Sequence, residues 1–203
     1  MSDPFHNMEP FFAFMETFHR QPGAQRSFPD LPGLIVEARA AVTAAKQKPI
    51  VVTSAGQVFR LAVDLAGGGF YVANWVIPLA VKIAREVGLR PVEVDLRTLV
   101  ENMRDNTLDP RFFAKAASNH EPLVVVEYPL LVPPQVIIDG NHRAALRVLK
   151  RQFKALGYVL PPDLHLQAMA GEVFRVLYKI HHNFTEVARF MAGETDAVKL
   201  LPY

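Results

Sequence analysis

The sequence predicts an α/β fold, of the α+β type, in which a mixed sheet is combined with helices at both ends of the chain. Two apolar strand-like runs, Leu123 to Tyr128 and Gln135 to Asp139, flank a proline-rich turn, and helical periodicity precedes and follows them. The chain has 203 residues, half of them apolar, which suffices for one well-buried core. We therefore expect a single domain, 1–203, with a core motif in 91–154 and a helical extension in 155–203.

The N-terminal region, 1–33, is predicted to be a short helix and a linker. Its apolar side chains recur at helical spacing until Pro22-Gly23 stops the pattern. They are Phe5, Met8, Phe11 or Phe12, Met15 and Phe18. Such a helix can dock into the groove of a partner or cover the edge of its own core. An Ala-rich helix from Leu34 to Lys48 offers a second apolar face.

The middle of the chain alternates between strand-like and helix-like segments. A hairpin is expected to join Ile50–Ser54 to Gln57–Leu65 at Ala55-Gly56. The three glycines at 67–69 lack the Lys-Ser/Thr of a P-loop, so they predict only a flexible turn. The other predicted elements are strands at 70–74 and 91–96 and helices at 77–87, 97–103, 112–118, 141–156, 163–180 and 185–191.

Composition excludes several classes of protein. The absence of cysteine rules out disulfides, Cys-ligated metal and thiol chemistry, and it favours a reducing, cytoplasmic setting. The most apolar window, Phe70 to Ala84, is interrupted by polar residues and falls short of the roughly 20 apolar residues of a membrane span. Neither a membrane helix nor a secretory signal is expected. The net charge of +2 permits contact with nucleic acid without requiring it.

The chemistry is predicted at the turn from Asp139 to Arg143, where a buried strand leads into a helix. The free N–H groups of a first helical turn, together with the helix dipole, bind anions, and phosphate is the natural ligand. Gly140 allows close approach of the backbone to a ligand, and Asn141 can cap the helix. His142 and Arg143 can add donors to phosphate.

The role of Asp139 is left open by the sequence. Its carboxylate can hold a divalent ion such as Mg²⁺ that bridges the phosphates, or it can orient Arg143 or His142. The turn can also be purely structural, with Asp139 paired to Arg143. Glu127 is a candidate general base on a water molecule, and Glu93 and Asp95 are a weaker candidate pair of metal ligands with Asp139.

Cationic side chains continue along the predicted helix after the turn. They are Arg147, Lys150, Arg151 and Lys154. If they share one face beside the phosphate-binding turn, they can contact a nucleic-acid backbone. A solvated helix face is the alternative interpretation.

Three segments together resemble the core of the ParB/sulfiredoxin superfamily. They are Phe112-Phe-Ala-Lys-Ala-Ala-Ser, Pro122-Leu-Val-Val-Val-Glu-Tyr and Val136-Ile-Ile-Asp-Gly-Asn-His-Arg-Ala-Ala. In that family a helix leads into two strands and a Gly-x-[His/Arg]-Arg turn that binds nucleotide phosphates. The resemblance covers roughly Pro91 to Lys154 and implies that Gly140, His142 and Arg143 contact phosphate.

The resemblance also limits the activity. Asn141 stands where sulfiredoxins have their catalytic cysteine, so sulfiredoxin activity is excluded. The free-standing, nuclease-like branch implies hydrolysis of ATP or another NTP, and DNase activity, with a divalent cation. Similarity to plasmid fertility-inhibition proteins implies a block of conjugation or T-DNA transfer through a type IV secretion system at its coupling protein. The alternative function is a non-catalytic inhibitor that docks through an apolar helix face.

Overall fold

The computed structural model describes residues 5–20, 23–51, 57–100, 103 and 108–203. The predicted hairpin turn at Ala55-Gly56 and most of the strand predicted before it lie outside these residues, as does the polar segment 104–107. The described chain has an α+β fold with a three-stranded sheet, a four-stranded sheet and helices, which confirms the predicted fold class.

The elements alternate along the described chain. The strands are β1 (His6–Asn7), β2 (Val58–Asp64), β3 (Phe70–Val76), β4 (Val92–Asp95), β5 (Leu123–Glu127), β6 (Gln135–Asp139) and β7 (Lys154–Leu160). The helices are α1 (Glu9–Thr17), α2 (Leu31–Lys46), α3 (Ile77–Glu86), α4 (Leu96–Leu99), α5 (Phe113–Ser118), α6 (Asn141–Leu149), α7 (Pro162–His165) and α8 (Glu172–Met191). None of the described helices is long and apolar enough to cross a membrane.

Internal contacts divide the chain into two compact units. The first contains Met1–Val52, Arg60–Asn74 and Met169–Tyr203, and the second contains Thr53–Phe59 and Trp75–Ala168. The first unit holds α1, α2 and α8, together with the pairing of β1 and β3 in antiparallel register from His6 opposite Tyr71. The second unit holds the four-stranded sheet and the predicted phosphate-binding turn.

The apolar faces of α1 and α2 are buried within the first unit. Phe11 and Phe12 are at most 5% exposed, and the ring of Phe11 meets that of Phe184 edge to face at 5.7 Å between centroids. In α2, Leu34 and Ile35 are also buried. The interpretation that the N-terminal helix covers its own core is confirmed. Phe11, Phe12, Leu34 and Ile35 are therefore packed within the first unit and are not exposed for docking onto a partner.

The four-stranded sheet of the second unit is mixed, as predicted. Its strand order is β4-β7-β5-β6, in which β5 and β7 run parallel and the other two neighbouring pairs run antiparallel. Apolar side chains from the strands, α4 and α6 form one buried cluster: Val94, Leu96, Leu99, Leu123, Val125, Ile137, Ala144 and Ala155. Because β5 and β6 are adjacent and buried, they fix the position of the turn that follows β6.

The helix after the turn is shorter than predicted. It ends at Leu149, since Arg151 adopts a left-handed conformation with φ of 59°. The N–H groups of Arg151 and Gln152 donate to the carbonyl groups of Val148 and Arg147, which is the hydrogen-bond pattern of a Schellman C-cap. The prediction of helix as far as Leu156 is therefore wrong. The predicted helical extension 155–203 in fact begins within β7.

Candidate phosphate-binding site

Gly140 lies between the last residue of β6 and the first residue of α6, and its backbone conformation determines the shape of the turn. Its φ of +93° lies in the left-handed region that favours glycine. A Cβ atom there would overlap with Leu123 Cδ2 and lie 2.7 Å from Arg143 Nη2. Gly140 is also the N-cap residue of α6, so the prediction that Asn141 caps the helix is wrong. Asn141 is instead the first helical residue and is 9% exposed.

Arg143 is folded back over the start of α6. Its side chain is only 10% exposed, and Nη2 donates to Asp139 Oδ2 and to the carbonyl oxygen of Pro122, both at 3.2 Å. The Nε–H group is buried and has no hydrogen-bond partner among the described residues. A guanidinium that is held by two acceptors and still has one unsatisfied buried N–H can donate that N–H to a further anionic oxygen.

Asp139 orients Arg143, which is one of the two roles that the sequence left open. Its half-buried carboxylate can also supply one ligand to a metal ion. The described residues contain no group of three or more His, Asp or Glu side chains that could hold a metal ion. Mg²⁺ is commonly held by one or two carboxylates plus phosphate oxygens.

His142 connects the turn to the segment before α5. Its Nε2 accepts a hydrogen bond from the backbone N–H of Asp109 at 2.8 Å. The ring also packs against Phe112 and Phe113, with centroids 5.5 and 5.7 Å away. Since Nε2 is an acceptor, the neutral ring carries its proton on Nδ1, which can donate to a ligand.

Three clefts meet at Arg143. The largest, here the turn cleft, has a volume of about 440 Å³, within the roughly 300–1,000 Å³ of small-molecule sites. It is lined by Phe112, Lys115, Ala116, Asn119, Glu121, Asp139, Gly140, His142 and Arg143. Two smaller neighbours, of about 160 and 220 Å³, are here the basic cleft and the edge cleft.

The basic cleft carries an excess of positive charge. Arg143, Arg147 and Lys150 line it, and no carboxylate is found among the described residues of its lining. In the turn cleft, by contrast, the two cations Lys115 and Arg143 are matched by the two carboxylates of Glu121 and Asp139. An anionic group that approaches Arg143 is therefore attracted towards the basic cleft.

The predicted basic stripe does not lie on one helix face. Arg147 is in α6, Lys150 is its C-cap residue, and Arg151 occupies the left-handed turn and lines none of the three clefts. Lys154 is in β7, lines the edge cleft and pairs with Glu93 at 2.5 Å. The prediction of one helical stripe is wrong because α6 ends at Leu149, although Arg147 and Lys150 do share a cleft with Arg143.

The structure separates Glu127 from the turn. Glu127 pairs with Gln135 at the start of β6, whereas Asp139 pairs with Val124 at its end. Three residues of strand place Glu127 about 10 Å further along the sheet. The expectation that Glu127 lies near the turn is therefore wrong. Glu121, which the sequence analysis did not single out, is a carboxylate that lines the turn cleft.

The candidate metal pair on β4 is not grouped with Asp139. Asp95 accepts hydrogen bonds from the Arg97 side chain and backbone, which lower the pKa of its carboxyl to about 2. Glu93 is paired with Lys154 and lines the edge cleft together with Arg143. Since β4 and β6 are opposite edges of the sheet, three interstrand spacings, or about 14 Å, separate the backbones of these two strands.

A buried histidine of the second unit lies away from the three clefts. Burial lowers the pKa of His165 to about 4, and its Nδ1 accepts a hydrogen bond from Trp75 Nε1 at 3.3 Å. Its ring also stacks on Tyr128, with 5.8 Å between centroids. His165 is therefore a core residue whose protonation is coupled to folding.

The structure brings together four of the predicted site residues, Asp139, Gly140, His142 and Arg143, around one cleft. No protein-family model, curated protein or solved structure matches this chain. Phe112 and Glu121 also line this cleft, and the sequence did not predict them as site residues. Their proximity depends on the packing of α5 against α6, and a sequence pattern does not reveal it.

Proposed function

We propose that the protein binds the phosphates of a nucleotide at the turn from Gly140 to Arg143 and hydrolyses a nucleoside triphosphate there. The observation that carries this proposal is the buried Arg143 guanidinium with its unsatisfied Nε–H, placed beside the start of α6. A buried donor without a partner costs about 1–3 kcal/mol, and an anionic ligand would remove that penalty.

The backbone of α6 adds further donors. The N–H groups of Asn141, His142 and Arg143 have no acceptor within the helix, whereas that of Ala144 already donates to Gly140. These groups stand at the positive end of the helix dipole, where anions are stabilised. Together with His142 Nδ1 and the guanidinium, they form a set of donors suited to phosphate oxygens.

The resemblance to the ParB/sulfiredoxin superfamily supports the same proposal. A helix, two adjacent strands and a Gly-x-His-Arg turn follow one another as α5, β5, β6 and the start of α6. What the resemblance implies is ATP hydrolysis and cleavage of DNA, and with them a block of plasmid conjugation or T-DNA transfer. A conjugation assay with an Arg143 variant would examine the last of these.

In this scheme the residues of the turn have separate tasks. Arg143 and the N–H groups stabilise the negative charge that develops on the transferred phosphoryl group. Asp139 holds Arg143 in place and can ligate a Mg²⁺ ion that the nucleotide brings. Glu121 replaces Glu127 as the carboxylate that can accept a proton from the attacking water.

A nucleic-acid backbone would follow the cations next to the turn. Arg147 and Lys150 line the basic cleft with Arg143, and Lys154 lines the adjoining edge cleft. These side chains are the proposed contacts to DNA phosphates, and such contacts weaken as salt concentration rises. The DNA and the nucleotide would then share Arg143, so each is expected to compete with the other.

The test is binding of ATP with Mg²⁺, by calorimetry, to wild type and to Arg143→Ala, with phosphate release followed in the same samples. Arg97→Ala is the matched control, because Arg97 also pairs with an aspartate of the second unit and lines none of the three clefts. Binding that Arg143→Ala alone abolishes supports the site. Binding without phosphate release would make the protein a nucleotide-binding module rather than a hydrolase.

A further inference from the structure

We propose that the exposed ring of Phe112 is a stacking surface for the base of the bound nucleotide, with the phosphates extending past Arg143 into the basic cleft. The proposal rests on the phosphate site proposed above and adds the nucleoside position and the direction of the ligand. With a base stacked on Phe112, a nucleoside phosphate should bind more tightly than inorganic phosphate or polyphosphate.

Phe112 lies at the edge of the turn cleft with part of its ring exposed. It ends the 3₁₀ turn Pro110–Phe112 that precedes α5, and it is 51% exposed although it is a large apolar side chain. Its ring packs against His142 at 5.5 Å between centroids, and it also lines the turn cleft. One part of the ring is thus held by the phosphate-binding turn, while the exposed part is available to a planar group.

Charge is distributed differently in the two clefts. Among the described residues, the lining of the turn cleft has two cations and two carboxylates, so it suits the uncharged nucleoside part of a ligand. The described lining of the basic cleft has three cations and no carboxylate, so it suits the phosphates. Arg143 lines both clefts, which places it where the nucleoside joins the phosphate chain.

The two clefts also differ in size. The turn cleft, at about 440 Å³, falls within the roughly 300–1,000 Å³ that small-molecule sites occupy, and the basic cleft, at about 160 Å³, falls below it. A base and ribose therefore fit the first cleft, whereas the second admits only a smaller group such as phosphate. The reverse orientation would put the base beside three cations and leave the exposed part of the Phe112 ring uncovered.

The experiment compares ATP with tripolyphosphate, which has the same chain of phosphates and no base, by calorimetry on the full-length protein. The variants are Phe112→Leu, which keeps apolar bulk but cannot stack, and Phe112→Tyr, which can. Phe153→Leu is the control, because Phe153 is also an exposed phenylalanine of the second unit and lies outside the turn cleft.

We expect Phe112→Leu to weaken ATP binding by about 5-fold to 150-fold, the equivalent of ~1–3 kcal/mol for one base–aromatic contact. Tripolyphosphate binding should be unchanged, and Phe112→Tyr and Phe153→Leu should both bind ATP like wild type. An equal loss for both ligands, or no loss for ATP, would overturn the stacking role. Failure of wild type to bind either ligand would instead overturn the phosphate site itself.

Discussion

Replacing Gly140 by alanine should destabilise the second unit more than the same change at another left-handed glycine. Gly140 has a φ of +93°, and a Cβ atom there meets Leu123 and the Arg143 guanidinium. Gly88, which follows α3, has a φ of +72° and no atom within 4 Å of the added Cβ. An alanine would be strained by the positive φ at both positions, but only at Gly140 would its Cβ atom overlap with neighbouring side chains.

The structure sets the expected size of each effect. A left-handed conformation costs a non-glycine residue about 1–2 kcal/mol, and this applies to both variants. Forcing an extra carbon into a packed site adds about 1–3 kcal/mol, which applies to Gly140 alone. Gly140→Ala should therefore lower the free energy of unfolding by about 2–5 kcal/mol and Gly88→Ala by about 1–2 kcal/mol.

The assay is urea unfolding followed by the fluorescence of Trp75, the single tryptophan of the chain, which lies in the second unit. The added methyl of Gly140→Ala should also displace the guanidinium and weaken phosphate binding, whereas Gly88→Ala should bind normally. If both variants lose the same stability and Gly140→Ala binds phosphate like wild type, then Arg143 does not pack over Gly140, and the account of the turn fails.

Two further predictions concern residues away from the turn. Because the pKa of buried His165 is about 4, the unfolded chain takes up a proton between about pH 6.5 and 4 that the folded chain does not. The free energy of unfolding should therefore fall as pH drops through that window, with a contribution of up to ~3 kcal/mol from His165. Urea titrations at pH values above and below the window should show a smaller fall for His165→Gln than for wild type. Glu127→Gln should leave ATP binding and phosphate release unchanged, since Glu127 lies at the far end of β5 from Asp139; a large loss of turnover would restore it as a catalytic candidate.

The sequence was sufficient to predict the elements around the turn because their signals are local. An uninterrupted apolar run identifies β5, and the change from Val136-Ile-Ile to Asp-Gly-Asn identifies the end of β6. The preference of glycine for positive φ and the anion affinity of helix starts then indicate what the turn can bind. These inferences need no knowledge of which segments are neighbours in space.

The end of α6 could not be predicted in the same way. Ala145, Leu149, Phe153 and Leu156 follow helical spacing, yet the chain leaves the helix at a left-handed Arg151, a position without glycine. The strand that follows is stabilised by pairing with β4 and β5, which are distant in sequence. Tertiary pairing therefore overrides local periodicity, and it also breaks the predicted basic stripe.

The sequence also could not predict the site roles of residues whose position depends on strand register or on helix packing. The position of Glu127 relative to the turn is set by the antiparallel register of β5 and β6, which places it opposite Gln135. The lining role of Phe112 depends on the contact between its ring and that of His142, 30 positions later. Two adjacent phenylalanines are typical of a buried core, so the sequence alone does not predict that Phe112 lines a cleft.

Calorimetric titration of tripolyphosphate into wild type, Arg143→Ala and Arg97→Ala would show whether Arg143 and the start of α6 form a phosphate-binding site. We expect wild type and Arg97→Ala to bind alike, and Arg143→Ala to lose binding while it remains folded by circular dichroism. A folded Arg143→Ala protein that binds tripolyphosphate as tightly as wild type would contradict this expectation.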